Sequence, residues 1–94
     1  MSYMLVDGVE MNRNHPRTFQ IPSAIAKAGV KVGDYVKLGF CEVGHDSNER
    51  MWVKVTKRDG DKFEGYLDND PAFLTCIKWQ DKVVFESRHI INLP

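Results

Sequence analysis

Three groups of residues in this chain carry side chains with chemistry to offer. The first is Arg50, Trp52 and Lys54, which alternate along one stretch, with Lys57 and Arg58 just beyond. Basic groups interleaved with an aromatic suit single-stranded nucleic acid or a nucleotide, because the ring stacks on a base while the cations meet phosphate. Trp and Arg, with Tyr, are equally the residues that dominate protein–protein interfaces. The second group is Glu49 with Asp68, Asn69 and Asp70. Clustered carboxylates can hold a divalent cation or serve as acid and base. A D-N-D-P run has a simpler explanation, side chains bonding turn backbone ahead of Pro71. The third group is Cys41 and Cys76 with His15, His45 and His89. A thiol beside a histidine is a nucleophile pair. Neither cysteine sits in such a context, no C-x-x-C occurs, and no histidine stands at metal-ligand spacing. The cysteines read as inert reduced thiols, with a Cys41–Cys76 bridge as the alternative. His89 reads as a structural hydrogen-bonder and His45 as solvated. The G-x-S-x-G, phosphate-loop and dinucleotide patterns are all missing. The expectation is a protein that is not an enzyme and needs neither cofactor nor metal.

Those residues must be held by something, and the hydrophobic periodicity says what. Met51, Val53 and Val55 alternate with Arg50, Trp52 and Lys54, and Phe63, Gly65 and Leu67 alternate with Glu64 and Tyr66. This is a hairpin around Asp59-Gly60. A two-residue Asp59-Gly60 turn pairs Val55 with Glu64, apolar against charged. A three-residue loop, Arg58-Asp59-Gly60, pairs Val55 with Phe63, Lys54 with Glu64, Trp52 with Tyr66 and Arg50 with Asp68. The second register is the expected one, and it needs Gly60 in the left-handed region. Tyr35 to Val43 is a half-buried strand with Val36, Leu38 and Phe40 on one face and Tyr35, Lys37 and Cys41 on the other. Thr18 to Ile21 reads as a short strand, Leu5-Val6 as an edge strand before an Asp7-Gly8 turn, and Asn12 to Pro16 as a loop. One short helix is expected near residues 22–29, with Ile21, Ile25 and Ala28 on its inner face and Gly29 ending it. Val32-Gly33-Asp34 and Trp79-Gln80-Asp81 each place an Asp turn just before an alternating strand. His89 to Leu93 supplies a last short strand.

The 94 residues make one small domain, residues 1–94. The predicted fold is mainly β: a small curved antiparallel sheet or an SH3-like barrel with that single helix, an α+β roll being the alternative. The predicted core contains Phe19, Ile25, Val36, Leu38, Phe40, Met51, Val53, Val55, Phe63, Leu67, Val83 and Phe85. Thirteen basic and thirteen acidic residues cancel, so any affinity for nucleic acid must come from a local patch. The start of the chain lacks a basic run and a long apolar run, which argues against a signal peptide or a membrane helix and for a cytoplasmic protein.

Glu49-Arg50-Met51-Trp52-Val53, Leu67-Asp68-Asn69-Asp70-Pro71, Asp81 to Phe85, His89 to Ile91 and the Gly33-Asp34 turn together resemble the YegJ-like family of small bacterial domains. The likeness covers about the last half of the chain. It implies a small β-rich domain and implies no activity. In those relatives glycine usually stands where Gln80 does, so the turn before the last long strand is expected to differ here.

Strand parity points Trp52 and Tyr66 outward, and two large exposed rings are costly to leave in water. The expected binding surface is Arg50, Trp52, Tyr66, Asp68, Asn69 and Asp70. The partner expected there is another protein, as in immunity or inhibitor-type proteins, with no role for a membrane. A nucleotide or single-stranded nucleic acid is the alternative, weakened by the carboxylates that the expected register sets opposite Arg50 and Lys54. The competing outcome is that the N-terminal segment or the helix covers the rings in a second small core.

Overall fold

A computed structural model describes residues 3–44 and 48–94. The reading of His45 as solvated lies outside the described residues. The elements run β1 (Tyr3–Leu5), α1 (Gly8–Asn14), α2 (Ala24–Ala28), β2 (Tyr35–Glu42), β3 (Asn48–Asp59), β4 (Lys62–Leu67), β5 (Lys82–Glu86), a 3-10 turn (Ser87–His89) and β6 (Ile90–Asn92). The fold is mainly β. β2 to β5 form an antiparallel meander, and β1 and β6 both pair with the outer edge of β2, β1 along Phe40–Glu42 and β6 along Lys37–Leu38. By returning to β2, β6 brings the curved sheet close to a closed barrel. Among the described residues no helix is long and apolar enough to cross a membrane.

Alternation builds the core. Val36, Leu38, Phe40, Met51, Val53, Val55, Phe63, Leu67, Val83 and Phe85 all point inward and are buried, joined by Leu74, Ile77 and Ile90. Phe63 and Phe85 stack across β4 and β5 with ring centroids 5.0 Å apart.

The hairpin register differs from expectation. Asp59 faces Lys62, so the turn is Gly60-Asp61, and Gly60 has φ +60. The ladder then shifts by one residue between Val55 and Lys57, and beyond this bulge Val55 faces Gly65 and Lys54 faces Tyr66. Thr56 is the extra residue. The bulge restores the inward parity that the longer loop was invoked to supply, so the faces are as expected while every cross-strand partner is displaced. Gly65 is required at this spot, since a Cβ there would collide with the Lys54 carbonyl oxygen.

The amino-terminal third departs most from expectation. Residues 8–14 are helical rather than turn and loop. Asp7 caps α1, its carboxylate accepting from the Glu10 N–H at 3.0 Å. Thr18 to Ile21 is a turn end followed by irregular chain and not a strand. α2 starts after its Ser23 cap as the Pro22–Gly29 signal suggests, but it docks the opposite way round. Ile25 is 86% exposed, and Lys27 is the residue that is buried. Arg58 imposes this orientation. Its Nη1 donates to the carbonyls of Lys27, Ala28 and Val30 at 3.2, 3.1 and 2.6 Å, and its guanidinium lies 4.6 Å above the Phe63 ring. Four donor and ring contacts from one β3 residue outweigh the burial of a single isoleucine. Phe19 is only half-buried.

A second small core does form, but away from Trp52. Val6 lies over Gly39, its N–H donating to the Gly39 carbonyl at 2.9 Å. Ile91 and Ile21 close against Gly8 beside it. Arg88 ties this layer to the 3-10 turn through Asp7 and Glu86, both at 2.9 Å.

Candidate interaction face

The outer face of β2, β3 and β4 is divided in two. One half, around Gly39, lies under the N-terminal segment. The other half is open and consists of two rungs. Tyr35, Lys54 and Tyr66 face one another across the three strands, and β5 adds Lys82. Lys37 faces Trp52 on the next rung, and Asp68 follows, its N–H donating to the Trp52 carbonyl at 3.0 Å. Alternation along the strands dictates these positions. Residues two apart share a face, and the register sets Tyr35 and Lys37 beside Lys54 and Trp52.

Each outward ring on β2 and β3 carries a cation. The Lys37 ammonium is 4.6 Å from the Trp52 ring centroid, and the Lys54 ammonium is 5.6 Å from that of Tyr35. Among the described residues neither lysine has an ion-pair partner. The charge that was expected opposite Lys54 has gone elsewhere: Glu64 is held by Lys82 at 2.6 Å and Lys57 at 3.5 Å, contacts that lower its pKa. At the end of the face, Tyr35, Trp52, Asp68 and Pro94 surround a shallow recess of about 310 Å³. The Asp68 carboxylate accepts from the Trp79 indole N–H at 3.2 Å, and its presence beside the Tyr35 hydroxyl raises the Tyr35 pKa.

The six expected site residues are not one cluster. Trp52, Tyr66 and Asp68 lie on the open face and are half-buried. Asn69 works behind it: its side-chain oxygen accepts from the Trp52 N–H at 2.8 Å, taking over where the β3–β4 ladder stops. Arg50 faces Gly39 on the other half, where it stays exposed with its guanidinium 5.2 Å from the Phe19 ring. Asp70 is exposed beyond the corner. Tyr35 and Lys37 belong to the face and were not expected in it. Their outward parity is visible in the sequence, but the pairing of β2 with β3 that brings them beside Trp52 emerges only from the folded sheet.

The carboxylates that offered catalytic or metal chemistry are otherwise engaged. Glu49 accepts from the backbone N–H groups of Ala72, Phe73 and Leu74 at 2.5, 3.2 and 3.3 Å. Glu42 accepts from the Thr75 N–H, the Thr75 hydroxyl and the Cys76 N–H at 3.0, 2.9 and 3.0 Å, which holds its pKa down at about 2. Together they strap the irregular segment 68–81 onto the sheet. Cys41 and Cys76 are not bridged to each other. Burial first, and then Glu42, pushes the Cys76 thiol up, away from the thiolate a nucleophile needs. His89 Nδ1 accepts from the Glu86 N–H at 2.9 Å, and burial lowers its pKa. Among the described residues no three His, Cys, Asp or Glu side chains are grouped to hold a metal ion.

Residues 16–92 match the family model described as an uncharacterized protein conserved in bacteria, DUF2314. The chain belongs to the DUF2314 family. The match takes in α2 and every strand from β2 to β6, so the DUF2314 unit is the barrel itself, well beyond the last half of the chain. β1 and α1 precede the matched stretch. Neither the curated proteins nor the solved structures contain a significant match to the chain.

Proposed function

We propose that this DUF2314 domain is a non-catalytic binding module that takes an acidic surface of another protein on the open half of its sheet. The observation that carries the reading is the pair of rungs Tyr35–Lys54–Tyr66 and Lys37–Trp52–Asp68, in which two ammonium groups lie over aromatic rings without a carboxylate partner. The rings supply apolar area at low conformational cost, and the lysines supply charge that only a partner can neutralise. A cytoplasmic immunity or inhibitor-type role fits such a face. The resemblance of Glu49–Val53 and Leu67–Pro71 to YegJ-like proteins adds no activity to it.

The second reading is a small-barrel binder of the SH3-like kind for nucleotide or single-stranded nucleic acid. It gains from the observed register, which removes Glu64 from opposite Lys54. It loses because both ring faces already carry ammonium groups, so a base must displace a lysine before it can stack.

Trp52 fluorescence in a Trp79→Phe background separates the readings. Titration with poly-glutamate should give a saturable change that Lys37→Ala abolishes. A stronger response to oligo(dT) would favour the second reading. No response to either, with the fold intact, would overturn both.

A further inference from the structure

On the far side of α2 from the open face lies a recess of about 420 Å³, enclosed by α1, α2, the Gly60-Asp61 turn and the 3-10 turn. Lys27, Arg58 and Arg88 line it, with Ser87 at its wall and Val9 at its rim. Lys27 is only 8% exposed, yet its ammonium has no hydrogen bond or ion pair with any described residue. Lys27 lines the recess, and its nitrogen is not sealed from solvent. The two guanidiniums each use Nε and Nη1 inside the fold, Arg58 on four carbonyls and Arg88 on Glu86 and Asp7, and neither Nη2 has a partner among the described residues. Asp61 is the one carboxylate in the lining, and its backbone carbonyl is what anchors the Ser87 N–H, at 3.1 Å.

This arrangement runs against stability. A helix that buries the stem of its lysine and exposes Ile25 has given up apolar burial and holds a cation without a partner among the described residues. Arg58 explains how the orientation is held, but not why a lysine should occupy the inner position. Breaches of the local rules of this kind concentrate where a ligand offsets them.

We propose that this recess is a second binding site, distinct from the aromatic face, and that it takes a small organic anion through an oxyanion head such as a phosphate or carboxylate group. Lys27 supplies the compensating charge, the two free Nη2 groups and the Ser87 hydroxyl supply directed donors, and Val9 packs against the apolar remainder of the ligand.

Inorganic phosphate is the probe, with sodium chloride of matched ionic strength as control and acetate as the carboxylate arm. Amide shifts of the whole chain followed by NMR should saturate, with the largest changes at Gly60, Asp61 and Ser87, and phosphate should raise the thermal midpoint. Whichever of phosphate and acetate saturates first identifies the preferred head. Lys27→Met keeps the stem and removes the charge. It should melt no lower than the wild type without ligand, and should bind phosphate about tenfold or more weakly. Ser87→Ala, which leaves every bond of the fold in place, should weaken phosphate by several-fold. Absence of saturation with both anions, changes confined to other surfaces, or wild-type affinity in Lys27→Met would overturn the site.

Discussion

Gln80 holds φ at +72, the one described non-glycine residue in the left-handed region. It sits where Gly33 sits in the earlier turn, at φ +96, and the two turns agree bond for bond. The Asp34 carboxylate accepts from the Lys31 N–H at 2.9 Å, and that of Asp81 from the Lys78 N–H at 3.0 Å. Gly33 donates to the Val55 carbonyl and Gln80 to that of Leu67. The likeness of the two Asp turns was legible in the sequence, but the expectation drawn from the resemblance, that the turn differs here for want of glycine at position 80, is overturned. What was not legible is that glutamine adopts the same turn and bears its strain. Gln80→Gly should therefore stabilise the domain by about 0.5–1 kcal/mol, since a left-handed side chain costs more than the extra chain entropy of glycine. Urea unfolding measures it, and a lower midpoint would count against the account. Glu42 gives a pH signature. Its folded pKa, about 2, lies below its ordinary value of 4.5, so its contribution is complete above pH 4.5 and is lost as pH falls toward 2. Glu42→Gln should be less stable at neutral pH and should lose less across that window. Parallel wild-type and variant curves there would refute the assignment.

At the scale of elements, periodicity was a good guide to faces and a poor guide to partners. Ten of the twelve expected core residues are buried, because period-two alternation survives any even shift of register. The pairings failed because the turn falls at Gly60-Asp61, and a bulge at Thr56 that nothing in the local sequence demands then changes register inside the strand. The same limit explains the site. Trp52, Tyr66 and Asp68 were found by parity along one hairpin, whereas Tyr35 and Lys37 arrive from a neighbouring strand. α2 failed differently. Its five residues carry too little apolar periodicity to fix a face, and a side chain from β3 decides the matter. Arg58→Ala should cost about 2–3 kcal/mol, the loss of several charged hydrogen bonds to carbonyls. Amide exchange at Gly29 and Val30 should accelerate before the barrel opens. Arg58→Lys should recover little, since an ammonium lacks the planar fork. Full recovery by lysine would show that charge alone holds the helix.

Taken whole, the molecule is a barrel with one side of its sheet shared between an internal layer and an open face. β6 reaches back to β2, so the end of the chain helps to close a core whose largest members, Phe40, Phe63 and Phe85, come from the meander. β5 is in a different position. It pairs with β4 alone in the described sheet, and Val84 is 62% exposed on it, between Val83 and Phe85 inside. A slip of β5 by one residue would turn Val84 inward and Phe85 out, and would leave a hydrophobic strand with an open edge. The Asp81 turn opposes this, because Gln80 and Asp81 are both bonded to Leu67 of β4, which fixes where β5 begins. The pair of Asp turns is thus a device for proofreading alignment, one copy for β2 and one for β5. Its loss should be felt during folding more than after it. Asp81→Ala should lower stability by only about 1 kcal/mol, the worth of a capping side chain, yet should raise aggregation during refolding out of proportion, through misaligned β5 edges joining between molecules. Light scattering during refolding, compared with a control of equal stability such as Asp34→Ala, would test this. The Asp34 turn aligns β2, which is flanked on both sides, so its loss exposes no edge.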